Sequence, residues 1–211
     1  MLDASHEELA AKLGELKAAV EARTRAPLDF QGVEALWFGQ HLYEPLLYFE
    51  RKVADVSPVP LNKGERRFVD DLRTFYDANP AYFSGKRLHL LRNLSRGRGL
   101  GFFEAGNFYP DFILWLATDH KQYVSFVDPK GLRQVDPGDP KVEFYRSVKE
   151  VERRLADGSV VLNAFLVSPT PSRVMRKRWR MEKAEMQARN VLFQDEDQTT
   201  YVEALLNAST R

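Results

Sequence analysis

The chain has 211 residues, of which 44% are hydrophobic and 12% aromatic, so it is long enough for one domain with a substantial core. Its 31 basic and 30 acidic residues leave a net charge of +1, which excludes a generally basic nucleic-acid-binding domain and restricts such contacts to local clusters. The absence of cysteine excludes a disulfide framework and a thiol nucleophile, and the lack of a long apolar run or an apolar N-terminal signal predicts a cytoplasmic protein without membrane contact.

The N-terminal part is predicted to be helical. The spacing of apolar residues predicts one helix over residues 1–22 and helical structure again over residues 33–55, where large apolar side chains are frequent. We interpret residues 1–58 as a helical extension packed on the rest of the chain; the alternative is a docking region for a partner subunit. A proline-rich linker at residues 57–60 separates this part from the second domain, residues 59–211.

A helix and a strand follow the linker. Asn62 is predicted to cap an amphipathic helix from Lys63 to about Ala78, in which Glu65 occupies the third position and completes a capping box. A strand is predicted from Lys86 to Leu94.

Basic residues without an acidic neighbour mark the region from Gly85 to Phe103. They are Lys86, Arg87, Arg92, Arg96 and Arg98. Such a cluster can bind the phosphate backbone of a nucleic acid. The alternative is a solvated hairpin with glycine turns.

The stretch from Asn107 to Gly131 is predicted to form a β-hairpin. Two β-rich apolar runs flank a polar break at residues 118–121. With the turn between Asp119 and His120, Asp111 falls opposite Asp128, and the two side chains point to the same face. Lys130 shares that face because it lies two residues beyond Asp128.

The opposed carboxylates suggest a metal site. They repel each other across the strand pair, and a divalent cation such as Mg²⁺ or Mn²⁺ would compensate because it prefers carboxylate oxygens. Lys130 adds a positive charge for an anion, so the set suits metal-assisted phosphodiester hydrolysis. The alternative is that one Asp hydrogen-bonds a turn and Lys130 is its surface partner, or that a register slip separates the pair.

The C-terminal half continues with a helix and a strand. Asp139 and Pro140 are the predicted cap and first residue of a helix that ends near Ala156, and residues 159–167 form a strand. A short edge strand is expected at residues 190–194 and a last helix at residues 199–207. Because the hairpin is apolar on both faces, helices must cover both faces of an α/β sheet.

A second basic cluster lies at residues 172–180 and includes Arg176, Lys177 and Arg178. One interpretation is a second DNA contact in which Trp179 packs on a sugar or base. The other is an amphipathic outer helix whose Trp179 and Met175 face the core.

The acidic motif has a family resemblance. Pro110-Asp111 followed by Asp128-Pro129-Lys130 resembles the PD-(D/E)xK signature of restriction-endonuclease-like nucleases. A predicted helix with an early Glu precedes it, each half lies in a predicted strand, Gly131 follows the lysine, and a helix comes next.

The surrounding segments carry the resemblance further. LLRNLSRGRGLGFFEAGNFYPDFILWL and YVSFVDPKGL resemble the nuclease region at the C-terminal end of type III restriction enzymes and related DEAD/DEAH-box helicase proteins. The resemblance runs from Val59 to the C-terminus and is strongest from Leu88 to Leu132. It implies a core of a helix, a three-stranded antiparallel hairpin sheet, a helix and a strand.

The resemblance also implies an activity. We expect an Mg²⁺-dependent deoxyribonuclease in which Asp111 and Asp128 hold the metal with the carbonyl of Pro129, Lys130 assists the attacking water, and Glu65 is a third acid. By analogy, its role would be restriction of foreign DNA alongside a helicase or translocase, and cutting both strands favours a homodimer. The alternatives are a catalytically silent nuclease-fold module for DNA binding or assembly, and a nuclease that cleaves RNA.

Overall fold

The structure is a computed structural model that describes residues 33–36, 46–50, 59–94, 99–102, 108–198 and 200–211, together with the single residues Ala11 and Ala18. Most of the helix predicted over residues 1–22 therefore lies outside the described residues, as do Arg96 and Arg98. No helix in the described ranges is both long and apolar enough to cross a membrane.

The first described elements are strands rather than the helix predicted over residues 33–55. Strand β1 (Val33–Leu36) pairs in antiparallel orientation with β2 (Leu46–Phe49). The backbone N–H of Leu61 donates to the carbonyl of Leu47 at 2.7 Å, and Leu36 and Leu46 are buried in the main core. The prediction was wrong for these two segments because short apolar runs do not distinguish a helix from a strand, and their pairing determines the structure. Residues 37–45 and 51–55 of the predicted helical region lie outside the described residues.

Helix α1 (Lys63–Ala78) agrees with the prediction. The Asn62 side chain accepts from the backbone N–H groups of Gly64 and Glu65, and Glu65 returns a hydrogen bond to the N–H of residue 62, so the capping box is confirmed. The apolar face, with Phe68 and Leu72 fully buried, packs on the sheet.

The central sheet has five strands in the order β3-β4-β5-β6-β7. Their bounds are Arg87–Arg92, Phe112–Ala117, Gln122–Pro129, Val160–Ser168 and Val191–Phe193. The first three strands are antiparallel, whereas β6 and β7 are parallel to β5. The sheet is therefore mixed, and the expected three-stranded antiparallel sheet is only part of it.

The parallel pairing has a simple cause. Helix α2 (Pro140–Leu155) connects β5 to β6, and a strand–helix–strand connection brings its two strands parallel. The predicted cap is confirmed, because the Asp139 side chain accepts from the backbone N–H of Lys141 at 2.9 Å and Pro140 begins the helix.

Helices cover both faces of the sheet, as predicted. One face packs on α1 and on the last helix, α6 (Thr200–Ser209). The other packs on α2 and on two short helices, α3 (Ser172–Trp179) and α4 (Lys183–Ala188). A single turn, α5 (Gln194–Asp197), links β7 to α6. The chain is thus an α/β protein with a mixed sheet between helical layers.

Candidate active site

A cleft of about 580 Å³ opens where several elements meet at one end of the sheet. It lies at the carboxyl ends of β5 and β6 and is lined by the first turns of α1 and α2, which contribute Glu65 and Lys141. Ligands of open α/β sheets bind in such crevices, and helix N-termini favour anions there.

The opposition of Asp111 and Asp128 is confirmed. Strand β4 pairs Phe112 with Val127 and Ile113 with Phe126, and continuing this register by one residue sets Asp111 opposite Asp128. The two carboxyl groups are close enough for Asp128 to raise the pKa of Asp111. Asp128 is 5% exposed, and both residues line the cleft.

Asp111 is held at its backbone by the strand before it. The N–H of Asn93, at the end of β3, donates to the carbonyl of Asp111 at 2.9 Å. The Asn93 side chain also donates to the carbonyls of Pro110 and Leu100, each at 2.8 Å. This fixes the segment that enters β4 and therefore the position of the carboxylate.

The cleft destabilises the charged form of Asp111. Burial, together with the hydrogen bond to Asp128 and its negative charge, raises the pKa of Asp111 to about 8. Arg92 opposes this shift. A carboxylate pair that Arg92 compensates only in part favours a protonated form near neutral pH, and a cation could take the place of that proton.

Lys130 lies on the same cleft, as predicted. Its backbone N–H donates to the carbonyl of Val167 in β6 at 2.9 Å, which continues the parallel pairing past the end of β5. Pro129 lines the cleft beside it.

Glu65 enters the cleft from α1 and is 4% exposed. Its Oε2 accepts from the N–H of Asn62 at 2.8 Å and from Nη2 of Arg92 at 3.0 Å. Burial raises the pKa of Glu65 to about 6, with Asp111 adding to the shift and Arg92 opposing it. The capping role is therefore present, and Glu65 also interacts with Asp111. Its role as a third acid of the site stays a prediction.

Arg92 lies inside the protein rather than on the basic surface proposed from the sequence. It is 7% exposed, and its guanidinium contacts Glu65 at 3.0 Å, the Asp111 carboxylate at 3.6 Å and the Asp111 carbonyl at 3.3 Å. It also lies 5.0 Å from the centre of the Phe112 ring. The guanidinium thus acts as an internal counterion, and this burial argues against the predicted contact with phosphates.

The second basic cluster lies on α3, which follows the cleft residue Pro169. Arg176, Lys177 and Arg178 are exposed there, with Arg176 paired to Glu182 at 3.3 Å and Arg178 to Asp136 at 2.9 Å. The Trp179 ring is buried and donates from Nε1 to the carbonyl of Val135 at 2.8 Å. Stacking of Trp179 on a base is therefore wrong, whereas phosphate contact by the three basic residues stays a prediction.

Sequence reasoning missed Lys141. It follows Pro140 in the first turn of α2 and lines the cleft with Lys130. Burial and the neighbouring Lys130 ammonium lower the pKa of Lys141, whereas Asp128 and Asp139 oppose the shift. The Asp139-Pro140 cap signal placed it at the start of a helix after β5, which was the available clue.

The donor set fits a hard divalent cation in part. Among the residues that the structure describes, no three Asp, Glu or His side chains come close enough together to form a metal-binding group. Mg²⁺ commonly uses only one or two carboxylates and takes its other ligands from water and substrate phosphates. The Asp111 and Asp128 pair, with their opposed oxygens at an open cleft, meets that requirement.

Comparisons of this chain with protein-family models, with curated proteins and with solved structures give no match.

Proposed function

We propose that this protein is a metal-dependent nuclease whose cleft hydrolyses phosphodiester bonds of DNA. The observation that carries the proposal is the contact between Asp111 and Asp128 at the cleft that Lys130 also lines. Two opposed carboxylates cost stability unless a positive charge joins them. The PD-(D/E)xK resemblance and a restriction-endonuclease-like core are part of the same proposal.

The residues have separate roles in this proposal. Asp111 and Asp128 would hold Mg²⁺ or Mn²⁺, with the Pro129 carbonyl as a further ligand, and Glu65 would be a third acid. When bound, the cation supplies Lewis-acid activation of water and neutralises charge at the phosphate. Lys130 would orient the attacking water and stabilise the negative charge that develops on phosphate oxygens.

Arg92 would position the acidic residues of the site without contacting the substrate. By binding Glu65 and Asp111 it holds the two carboxylates of neighbouring elements in place. Its buried guanidinium compensates part of the negative charge before a metal binds.

A cleavage assay tests the proposal. Plasmid and oligonucleotide DNA, with RNA in parallel, are incubated with wild type in Mg²⁺, Mn²⁺ or EDTA. We expect metal-dependent cutting that falls by about 10²-fold or more in Asp111→Ala and Lys130→Ala. Lys121→Ala, which removes the same charge as Lys130→Ala but at the exposed hairpin turn, should cut like wild type.

The opposite results have specific meanings. DNA binding without cutting favours a catalytically silent binding or assembly module, and cutting of RNA alone changes the substrate. Cutting that survives both Asp111→Ala and Lys130→Ala contradicts this site. A helicase or translocase partner, a role in restriction or antiviral defence, and a homodimer rest on the resemblance and stay predictions.

A further inference from the structure

A second lysine lines the same cleft as Lys130. Lys141 projects from the first turn of α2, and its side chain lies beside that of Lys130. We propose that Lys130 and Lys141 together form a phosphate-binding subsite that holds a backbone phosphate of the substrate strand. The choice of ligand rests on the proposed function, since the subsite lies in the same cleft as the carboxylate pair.

The electrostatics of the two lysines point to an anion. Two like charges at short range repel, and the neighbouring Asp128 carboxylate offsets only part of this repulsion. Neither ammonium forms an ion pair with a carboxylate of the described residues, although Asp128 and Asp139 are near enough to attract Lys141. Two unpaired ammonium groups in one cleft are therefore available to a ligand.

An aromatic ring lies beside the Lys141 ammonium group. Its Nζ lies 5.9 Å from the centre of the Phe108 ring. Phe108 is 3% exposed and packs edge-on against Phe144 of α2 at 5.4 Å between ring centres. The Asp139 cap fixes the first turn from which the side chain projects. The Lys141 side chain therefore has less conformational entropy to lose when a ligand binds.

The chemistry of the pair selects the ligand class. Ammonium groups on flexible stems bind phosphate oxygens as point charges, without the planar recognition of a guanidinium. The subsite should therefore bind backbone phosphates irrespective of the base sequence. The carboxylates next to it repel the same anion in the absence of metal, so binding without metal depends on the two lysines.

A binding measurement without catalysis tests the subsite. Binding of inorganic phosphate, and of a fluorescent duplex oligonucleotide, is measured in EDTA for wild type, Lys141→Ala, Lys141→Gln and the control Lys121→Ala. We expect roughly tenfold weaker binding in both Lys141 variants and a salt slope lower by the equivalent of about one neutralised phosphate. The control should match wild type, and far-UV circular dichroism should show that all variants are folded.

The outcomes separate the subsite from the nuclease proposal. Wild-type affinity and salt slope in both folded Lys141 variants would overturn the subsite, even if those variants cut DNA slowly. Weakened phosphate binding in both, with no metal-dependent cleavage by wild type, would support the subsite and count against the nuclease.

Discussion

Two carboxylates in contact dominate the chemistry of the cleft. Asp111 and Asp128 meet across β4 and β5, while Glu65 approaches from α1 with Arg92 as its counterion. Burial raises the pKa of both Asp111 and Glu65 above their ordinary values of 3.8 and 4.5. The metal-free site therefore retains protons that the unfolded chain would release.

The retained protons predict how stability depends on pH. Between the unfolded pKa values near 4 and the folded value of about 8 for Asp111, the folded state binds more protons than the unfolded state. Metal-free protein should therefore lose stability as pH rises through this window. Thermal melts between these limits in EDTA should show it, and Mg²⁺ should raise the melting temperature most at the alkaline end.

Asp111→Asn is the matched variant for this experiment. It removes one of the two opposed charges, so its metal-free melting temperature should exceed that of wild type at alkaline pH and should vary less with pH. Equal pH dependence in the two proteins, together with no response to Mg²⁺, would speak against a site built on this pair.

The buried ion pair between Arg92 and Glu65 gives a second prediction. Arg92→Met leaves the buried Glu65 carboxylate without its ion-pair partner and should lower the free energy of unfolding by about 3 kcal/mol or more. Urea unfolding measures the loss. Glu65→Gln combined with Arg92→Met should recover part of it, because the buried charge of Glu65 is removed while Asp111 still lacks its contact with the guanidinium. A loss below about 1 kcal/mol, as for an exposed pair, would show that the guanidinium is not the counterion.

Local patterns predicted some of these residues but not others. The opposition of Asp111 and Asp128 followed from the hairpin alone, because its turn determines the register. The partners of Arg92 did not follow, since Glu65 lies on a separate helix far along the chain. Lys141 was missed for the same reason, because only the tertiary fold brings the start of α2 to Lys130.

At the scale of elements, helix caps bring side chains to the cleft. Asn62 begins α1 and thereby places Glu65, and Asp139 begins α2 and thereby places Lys141. Both caps were predicted because a cap is a local pattern of a few residues. The strands at residues 33–36 and 46–49 were not predicted, since their pairing is what distinguishes them from helix.

The Asn62 cap gives a prediction for the stability of α1. Asn62→Ala removes the acceptor for the N–H groups of Gly64 and Glu65 and should lower the free energy of unfolding by about 1 kcal/mol in urea. Asn62→Gly should lower the free energy of unfolding by only a few tenths of a kcal/mol. A free energy of unfolding for Asn62→Ala equal to that of wild type would indicate that the side-chain cap does not stabilise the helix.

The parallel half of the sheet shows what the order of elements implies. A strand, a helix and a strand in succession predict parallel pairing, which explains why β6 lies parallel to β5. The strands at residues 159–167 and 190–194 were predicted from the sequence, but their orientation relative to β5 was not. The helix-covered α/β architecture was nevertheless predictable, because strands that are apolar on both faces need cover on both.

At the scale of the whole molecule, the net charge of +1 means that DNA contact depends on where basic groups lie. Helix α3 exposes Arg176, Lys177 and Arg178, and the ion pairs of the two arginines are exposed and weak. Helix α3, which begins shortly after the cleft residue Pro169, is therefore a candidate additional contact for a duplex bound in the cleft.

Replacing Arg176, Lys177 and Arg178 with alanine should weaken the electrostatic contribution to DNA binding. The triple alanine variant should show a shallower dependence of affinity on salt, by about 0.9 for each phosphate that the variant no longer neutralises. The control removes Arg146, Lys149 and Arg153 from the outer surface of α2, an equal change of charge. An equal change of slope in both variants would show that α3 has no specific part in binding.

If Asp111 and Asp128 form a divalent-cation site, the protein should bind Mn²⁺ directly. Mn²⁺ is titrated into metal-free protein while electron paramagnetic resonance reports the free ion. Wild type should deplete the free signal, Mg²⁺ should restore it, and Asp128→Asn should deplete it far less. Binding by Asp128→Asn equal to wild type, or no depletion by wild type, would contradict the claim.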